Sequence, residues 1–336
     1  MNTKKEGILP SFFFEKEQTL NLPVLKIADL KPVYPIIQGG MAIRISTGKL
    51  AGTVAKCGGI GLIAASGMSS EELLEEMDVA RKIAGPDGIV GINIMVAASN
   101  FELITEVAME NKIDLVVAGA GFSRRLFSLG KKYNVPVVPI VSSKKAAIVS
   151  QKSGAAAIVV EGFEAGGHLG TEVSTLELIP EIVKSVNIPV IGAGGVGDQE
   201  DFLKILRYGV SGVQIATMFA LTKESNAHEN WKNHILNANE KDMVIIDSPV
   251  GFPGRSINNK FLEKFKNNPI ELATKKCIGC LKHCSKKFCL IQALENARLG
   301  NIDEGLVFSG KYFYKIKKIL SVKEVFDILL KDIEKL

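Results

Sequence analysis

The sequence predicts an α/β fold: a parallel (β/α)8 TIM barrel carrying a smaller, mostly helical C-terminal cap domain. Two observations carry that expectation. Eight short apolar runs alternate with helix-period stretches between residues 34 and 216, and glycines cluster just past the C-terminal ends of several of those runs. A third observation sets the boundary, because the alternation stops after Thr217.

The runs are Tyr34 to Gln38, Ile60 to Ala64, Ile89 to Val96, Asp114 to Ala118, Pro136 to Val141, Ala155 to Glu161, Pro189 to Gly192 and Gly212 to Ala216. Each is rich in Val and Ile without polar alternation, the pattern of strands buried on both faces. Helix start signals lie between them: Ser69-Ser70 before Glu71, Ser142-Ser143 before Lys144, and Asp198 before Gln199. The rival architecture, an open doubly wound sheet, more often has fewer strands and a single glycine-rich crossover.

A chain of 336 residues, 46% of them hydrophobic, has room for one large core and a smaller second one. Its apolar runs break before the roughly 18 residues needed to span a bilayer, so no membrane association is expected. Ser11-Phe-Phe-Phe14 is too short for a signal-peptide core and is followed at once by Glu15 and Lys16, which points to a cytoplasmic protein. The net charge of +5 is uneven: residues 241–336 hold 18 Lys and Arg against 11 Asp and Glu. That basic third could steer an anionic substrate or carrier, or simply keep the surface soluble. No basic stripe with interleaved aromatics suggests nucleic acid.

In a barrel of this kind the chemistry sits at the C-terminal ends of the strands. Those ends read Gln38-Gly-Gly-Met-Ala42, Asn93, Gly119-Ala-Gly121, Ser142, Glu161-Gly-Phe-Glu-Ala-Gly-Gly-His-Leu-Gly170, Gly192-Ala-Gly-Gly-Val-Gly-Asp198 and Gln214-Ile-Ala-Thr217. Glycine at so many ends suggests one flat ligand lying against bare backbone. Gly194, Gly195 and the Ala216-Thr217 pair stand where barrels bind phosphate. A flat, phosphate-tailed ligand points to flavin mononucleotide (FMN) rather than a dinucleotide. His168 is the candidate for acid–base chemistry, because imidazole titrates near neutral pH; the bland alternative is a solvated histidine beside a glycine turn.

The chain resembles the flavin-dependent barrels that include nitronate monooxygenases (2-nitropropane dioxygenases) and the FMN-containing enoyl-acyl carrier protein reductase II. The resembling motifs are Pro35-Ile-Ile-Gln-Gly-Gly-Met-Ala42, Gly91-Ile-Asn-Ile-Met95, Glu161 to Gly170, Ala193-Gly-Gly-Val-Gly-Asp198 and Gly212-Val-Gln-Ile-Ala-Thr-Met-Phe219, in the family's order. The resemblance implies that Gln38, Gly39, Gly40 and Met41 lie at the flavin, the last three against its ring, with Asn93 and Glu161 at its polar edge or ribityl chain. It implies that Gly166 and Gly167 lie near the flavin, and that Gly194, Gly195, Gln214, Ile215, Ala216 and Thr217 hold the phosphate end. His168 takes the position of the family's catalytic histidine.

Two small-molecule reactions follow from the resemblance. One is oxidation of an alkyl nitronate through the flavin, which the segment Ser248-Pro-Val-Gly-Phe-Pro-Gly-Arg-Ser256 favours. The other is NAD(P)H-dependent reduction of an enoyl thioester, with acyl carrier protein as partner, which Lys223-Glu-Ser-Asn-Ala-His228 favours. The nitronate reaction is preferred.

The expected organisation is an N-terminal extension (1–31), the FMN-binding barrel (32–221), a helical cap or substrate domain (222–319), and a C-terminal helix returning to the barrel (320–336), with Val322, Val325, Ile328 and Leu329 on its inner face. The cap serves either as a lid or as a homodimer contact. Cys277, Cys280, Cys284 and Cys289, spaced C-x2-C-x3-C-x4-C, suit zinc or a 4Fe-4S cluster. The alternative is that the first three share one helix face as packed thiols. An iron–sulfur cluster would make a redox or electron-transfer protein a third reading. Cys57 reads as core, Glu164 as a loop carboxylate that could orient His168, and His228, His234 and His283 as weaker candidates.

Overall fold

The computed structural model describes residues 21–274 and 277–333. Residues 1–20, including Ser11 to Phe14 and most of the expected N-terminal extension, and the last three residues of the expected C-terminal helix lie outside the described residues.

Eight parallel strands close into a barrel: β1 (Ile36–Gln38), β2 (Ile60–Ala64), β3 (Ile89–Met95), β4 (Leu115–Gly119), β5 (Val137–Val141), β6 (Ile158–Glu161), β8 (Val190–Ala193) and β9 (Gly212–Ile215), with β9 pairing back onto β1. The expected runs and these strands coincide to within a few residues. The two-residue β7 (Gly167–His168) stands outside the barrel.

Helices α1 (Gly48–Lys56), α2 (Ser70–Ala84), α3 (Phe101–Glu110), α4 (Arg124–Tyr133), α5 (Lys144–Lys152), α6 (Thr175–Val183) and α7 (Gln199–Leu206) fill the crossovers. Their starts follow the expected capping chemistry. Ser69 accepts from Glu72 N, Ser143 from Ala146 N and Asp198 from Asp201 N, each satisfying an amide that lacks an intrahelical partner.

Inside the barrel, Ile37, Ile60, Leu62, Leu115, Val117, Val138, Val159 and Ile191 form a buried core, and Leu25 and Ile27 of the entering chain pack against it. After β9 comes only the four-residue α8 (Thr217–Ala220). Helix α13 (Val322–Leu329) packs against α1, α7 and α8. Val322, Val325 and Leu329 face inward, but Ile328 is exposed and Phe326, its ring tilted against Tyr34 and Phe219, takes the inner position instead.

Between α8 and α13 lie α9 (Glu229–Asn237), α10 (Lys260–Asn267), α11 (Pro269–Leu272) and α12 (Leu290–Arg298). The same segment holds an antiparallel hairpin, β10 (Met243–Asp247) and β11 (Pro253–Ile257), where the sequence suggests only a Pro/Gly-rich stretch. The run Met243-Val-Ile-Ile is short and apolar, and Ser248-Pro-Val-Gly-Phe supplies the turn. Strand β11 pairs on its other edge with β7, giving the sheet order β10-β11-β7. Among the described residues no helix is long and apolar enough to cross a membrane.

Candidate active site

A cavity of about 460 Å3 opens at the C-terminal mouth of the barrel. Its floor comes from the strand ends: Gly39, Gly40 and Met41 after β1, Asn93 in β3, Glu161 at the end of β6, and Gln214, Ala216 and Thr217 at and beyond the end of β9. The histidine loop contributes Gly166, Gly167 and His168. An apolar wall comes from Leu281, Leu290, Ile291, Leu294, Leu306 and Phe308. A smaller recess of about 60 Å3 shares Glu161, Gly166, Gln214, Ala216 and Thr217 with the cavity. It is otherwise walled by residues that include Glu164, Gly194, Gly195, Ile215, Gly310, Lys311 and Tyr312.

Strand register explains part of this convergence. Glu161 of β6 lies level with Ala193 of β8, which lies level with Gln214 of β9. Alternation then points the Glu161 and Gln214 side chains to one side, and both line the two spaces. Gly194 and Gly195 follow β8 with φ of 94° and 79°, a conformation that L side chains rarely adopt, and both line the smaller recess with bare backbone. At Gly166 the reason for glycine is contact: a Cβ there would lie 2.6 Å from Gly310 N and from Ser309 C.

His168 is fixed from three sides. As part of β7 it pairs with Gly254 of β11, its Nε2 lies 2.8 Å from Ser248 Oγ, and its ring meets Phe308 edge-on at 5.2 Å. What exposure it keeps is toward the cavity, and burial lowers its pKa to about 4, so the imidazole is neutral at pH 7. Burial also raises Glu161 to about 7.

Several expectations need correction. Gln38 does not face the cavity: it is fully buried, its Nε2 donating to Gly39 O and Ser46 Oγ while its Oε1 accepts from Leu62 N. Those bonds use its amide to splice β1 to its neighbours, which leaves nothing for a ligand. Glu164 does not orient His168. Its buried carboxylate accepts from Thr175 N at 2.8 Å and Thr175 Oγ1 at 3.1 Å, where the first turn of α6 offers a free amide. His228 caps α9 by accepting from Asn230 N, and Trp231 beside it, not His228, lines the cavity.

The cysteines form neither expected arrangement. Residues 277–288 contain no helix, so no shared helix face exists. The segment is instead held by backbone bonds, Ser99 N to Cys280 O and Lys282 N to Ala97 O, with Gly279 and Lys286 at positive φ. Among the described residues no three His, Cys, Asp or Glu side chains are arranged to hold a metal ion. Cys280 lines the cavity rim, its thiol pKa pushed up mainly by burial.

The site residues fit FMN. The large space adjoins a recess lined by Gly194 and Gly195, and two buried polar atoms on the walls of the large space, Gln214 Oε1 and Ser309 Oγ, find no hydrogen-bond partner among the described residues. Unpaired buried oxygens are costly unless a ligand meets them.

Comparison with known proteins then decides the family. The sequence matches the nitronate monooxygenase family over residues 25–115 and 86–332. The chain belongs to the nitronate monooxygenase family. A probable nitronate monooxygenase of Staphylococcus aureus (strain Newman) is 31% identical over 276 residues, covering 69% of this chain and 77% of that one. FabK from Thermotoga maritima superposes with a TM-score of 0.79 at 30% identity, covering 90% of this chain and 93% of that one. Nitroalkane oxidase from Streptomyces ansochromogenes shares the fold, with a TM-score of 0.76 at 19% identity and 89% and 95% coverage. This member of the nitronate monooxygenase family is an FMN-dependent oxidoreductase.

Within that family assignment, the sequence reading missed Ser248, Ser309 and Gly310 to Tyr312. Ser248 stood in a quoted motif, but nothing local tied it to a histidine 80 positions earlier.

Proposed function

We propose that the chain oxidises alkyl nitronates, with His168 as the acid–base group. The observation that supports this most is the neutral imidazole paired with Ser248 at 2.8 Å in a cavity that also has an apolar wall. A neutral imidazole can offer a ring N–H to a nitronate oxygen, and it can take the carbon proton only from the neutral nitroalkane that is the nitronate's conjugate acid. Ser248, 1% exposed, holds the ring at one nitrogen and restrains its rotation. The apolar wall takes the alkyl group and keeps water from the reacting carbon. FMN, when bound, supplies the acceptor for the nitronate's electrons and passes them to dioxygen. The chain's own part is to hold that cofactor, with Asn93, Glu161, Gly166 and Gly167 at the wider space and Gly194, Gly195, Gln214, Ala216 and Thr217 at the recess. In this reading residues 222–319 act as the lid.

The test is anaerobic mixing of the FMN-loaded protein with an alkyl nitronate and no NAD(P)H. Rapid loss of the visible absorbance of oxidised flavin is expected; an unchanged spectrum refutes the proposal.

A second reading is NAD(P)H-dependent reduction of an enoyl thioester, presented by acyl carrier protein. The apolar residues of the cavity wall and the likeness to FabK, an enoyl-acyl carrier protein reductase II, favour it. Bleaching by NAD(P)H followed by reoxidation with an enoyl thioester would select this reading over the first.

A further inference from the structure

Arg255 is only 4% exposed, yet among the described residues no carboxylate forms a salt bridge with it. Burying a guanidinium is costly unless its N–H groups are met. Here the histidine loop meets them. Nε donates to Ala165 O at 3.0 Å, Nη2 donates to Phe163 O at 2.6 Å, and the guanidinium carbon lies 4.5 Å from the centre of the Phe163 ring. The backbone of the same residue pairs with Gly167, and its neighbour Gly254 pairs with His168. From the barrel side, Glu164 ties the loop to Thr175, and Glu164 O accepts from Lys311 N. The loop is therefore gripped from both sides, and its inner surface, Gly166 to His168, faces cofactor and substrate.

We propose that Arg255 is the positioning residue of the histidine loop: its planar grip on two alternate carbonyls sets the backbone at the phosphate end of the cofactor site and the aim of His168. It does not touch the reacting atoms. Removing the guanidinium leaves two buried carbonyls unmet, and the loop must shift to rehydrate them. A shift of that kind reaches Gly166 in the recess and His168 in the cavity together.

The inference rests on the assignment of His168 and of the phosphate recess. Its main readout needs no turnover, so it stands or falls apart from the nitronate reading. Arg255→Met and Arg255→Lys are compared with Ser321→Ala, which removes the N-cap bond of α13 and touches neither space. Dissociation constants for FMN and riboflavin are measured by flavin fluorescence, and kcat is followed against pH. For Arg255→Met, FMN affinity is expected to fall about 10- to 100-fold, the scale of a lost charge-assisted hydrogen bond. Riboflavin, which lacks the phosphate, should weaken far less, and the acid limb of kcat should move. Arg255→Lys, able to reach one carbonyl, should fall between. Ser321→Ala should lower only the melting temperature. Equal weakening of FMN and riboflavin by Arg255→Met, or a lowered melting temperature with both affinities and kcat intact, overturns the proposal. Should Arg255→Met not fold, Arg255→Lys decides: wild-type affinities and pH profile there also overturn it.

Discussion

Nε2 of His168 and Oγ of Ser248 meet at 2.8 Å although 80 positions separate them, because β11 docks onto β7 and brings the hairpin turn over the barrel mouth. The pair makes unequal demands on its members. His168→Ala should lower turnover about 100- to 10,000-fold, the usual worth of a general acid–base group, while FMN stays bound. Ser248→Ala removes one restraint on the ring and should cost about tenfold, the scale of a single neutral hydrogen bond. Steady-state kinetics on flavin-loaded variants checks both. A Ser248→Ala defect as deep as that of His168→Ala would show that the hydroxyl itself handles the substrate.

The depressed pKa of His168, about 4, fixes the sign of two pH effects. If the imidazole works in its neutral form, kcat/KM is level across neutral pH and drops only as pH falls toward 4 in the free enzyme. Stability moves the same way. The unfolded chain takes up the imidazole proton near 6.5 and the folded chain does not, so the folded state loses ground as pH falls from 6.5 to 4. His168→Gln removes that component, and denaturant titrations at several pH values would reveal it. An acid limb of kcat/KM centred near 6.5 would mean that the ring is solvated.

The legible and illegible parts of this protein divide by sequence distance. Strand runs and helix caps are local, so Ile60–Ala64 or Ser69 could be read without the fold. His168 was legible because glycines crowd around it within one loop. Ser248, Arg255 and Ser309 were not, since each matters only through a partner brought in by tertiary pairing: Arg255 to Phe163 and Ala165, Ser309 to the wall beside Gly166. Gln38 misled for the complementary reason. A glutamine before two glycines looks like a ligand contact, yet its amide is consumed by Ser46 and Leu62.

Glu161 predicts a pH-dependent cofactor affinity. Burial raises its pKa to about 7, and the side chain lines both spaces. Below pH 7 the carboxyl is neutral and can donate a hydrogen bond; above it, a negative charge develops beside an anionic cofactor. FMN affinity should therefore decline as pH rises through 7, and Glu161→Gln should flatten that decline. The folded state, which keeps the proton that the unfolded chain releases near 4.5, likewise loses stability as pH rises from 4.5 to 7. Flavin fluorescence titrations between pH 6 and 8.5, about the range where this group changes charge, check the first claim. An equal decline in wild type and Glu161→Gln would place the titrating group elsewhere.

Gly166 gives the sharpest steric prediction. A Cβ at this position would sit 2.6 Å from Gly310 N and from Ser309 C, both backbone atoms that no rotamer change can move. Gly310 N is itself held by Thr217 Oγ1 at 3.0 Å, so the clash bears on a wall of the recess that is already tied down. Gly166→Ala should then push the 308–312 segment away from the histidine loop, at a cost of about 1–3 kcal/mol for overpacking. Because Thr217 and Ser309 line the FMN-sized space, cofactor occupancy should fall together with the melting temperature. Gly85→Ala, at a half-buried helix end where an added Cβ meets nothing within 4 Å, is the matching control: its φ of 76° strains the backbone without crowding any neighbour. Loss of flavin in Gly166→Ala but not in Gly85→Ala is the expected result, and full flavin occupancy in Gly166→Ala would mean that the two segments do not close on each other around the cofactor.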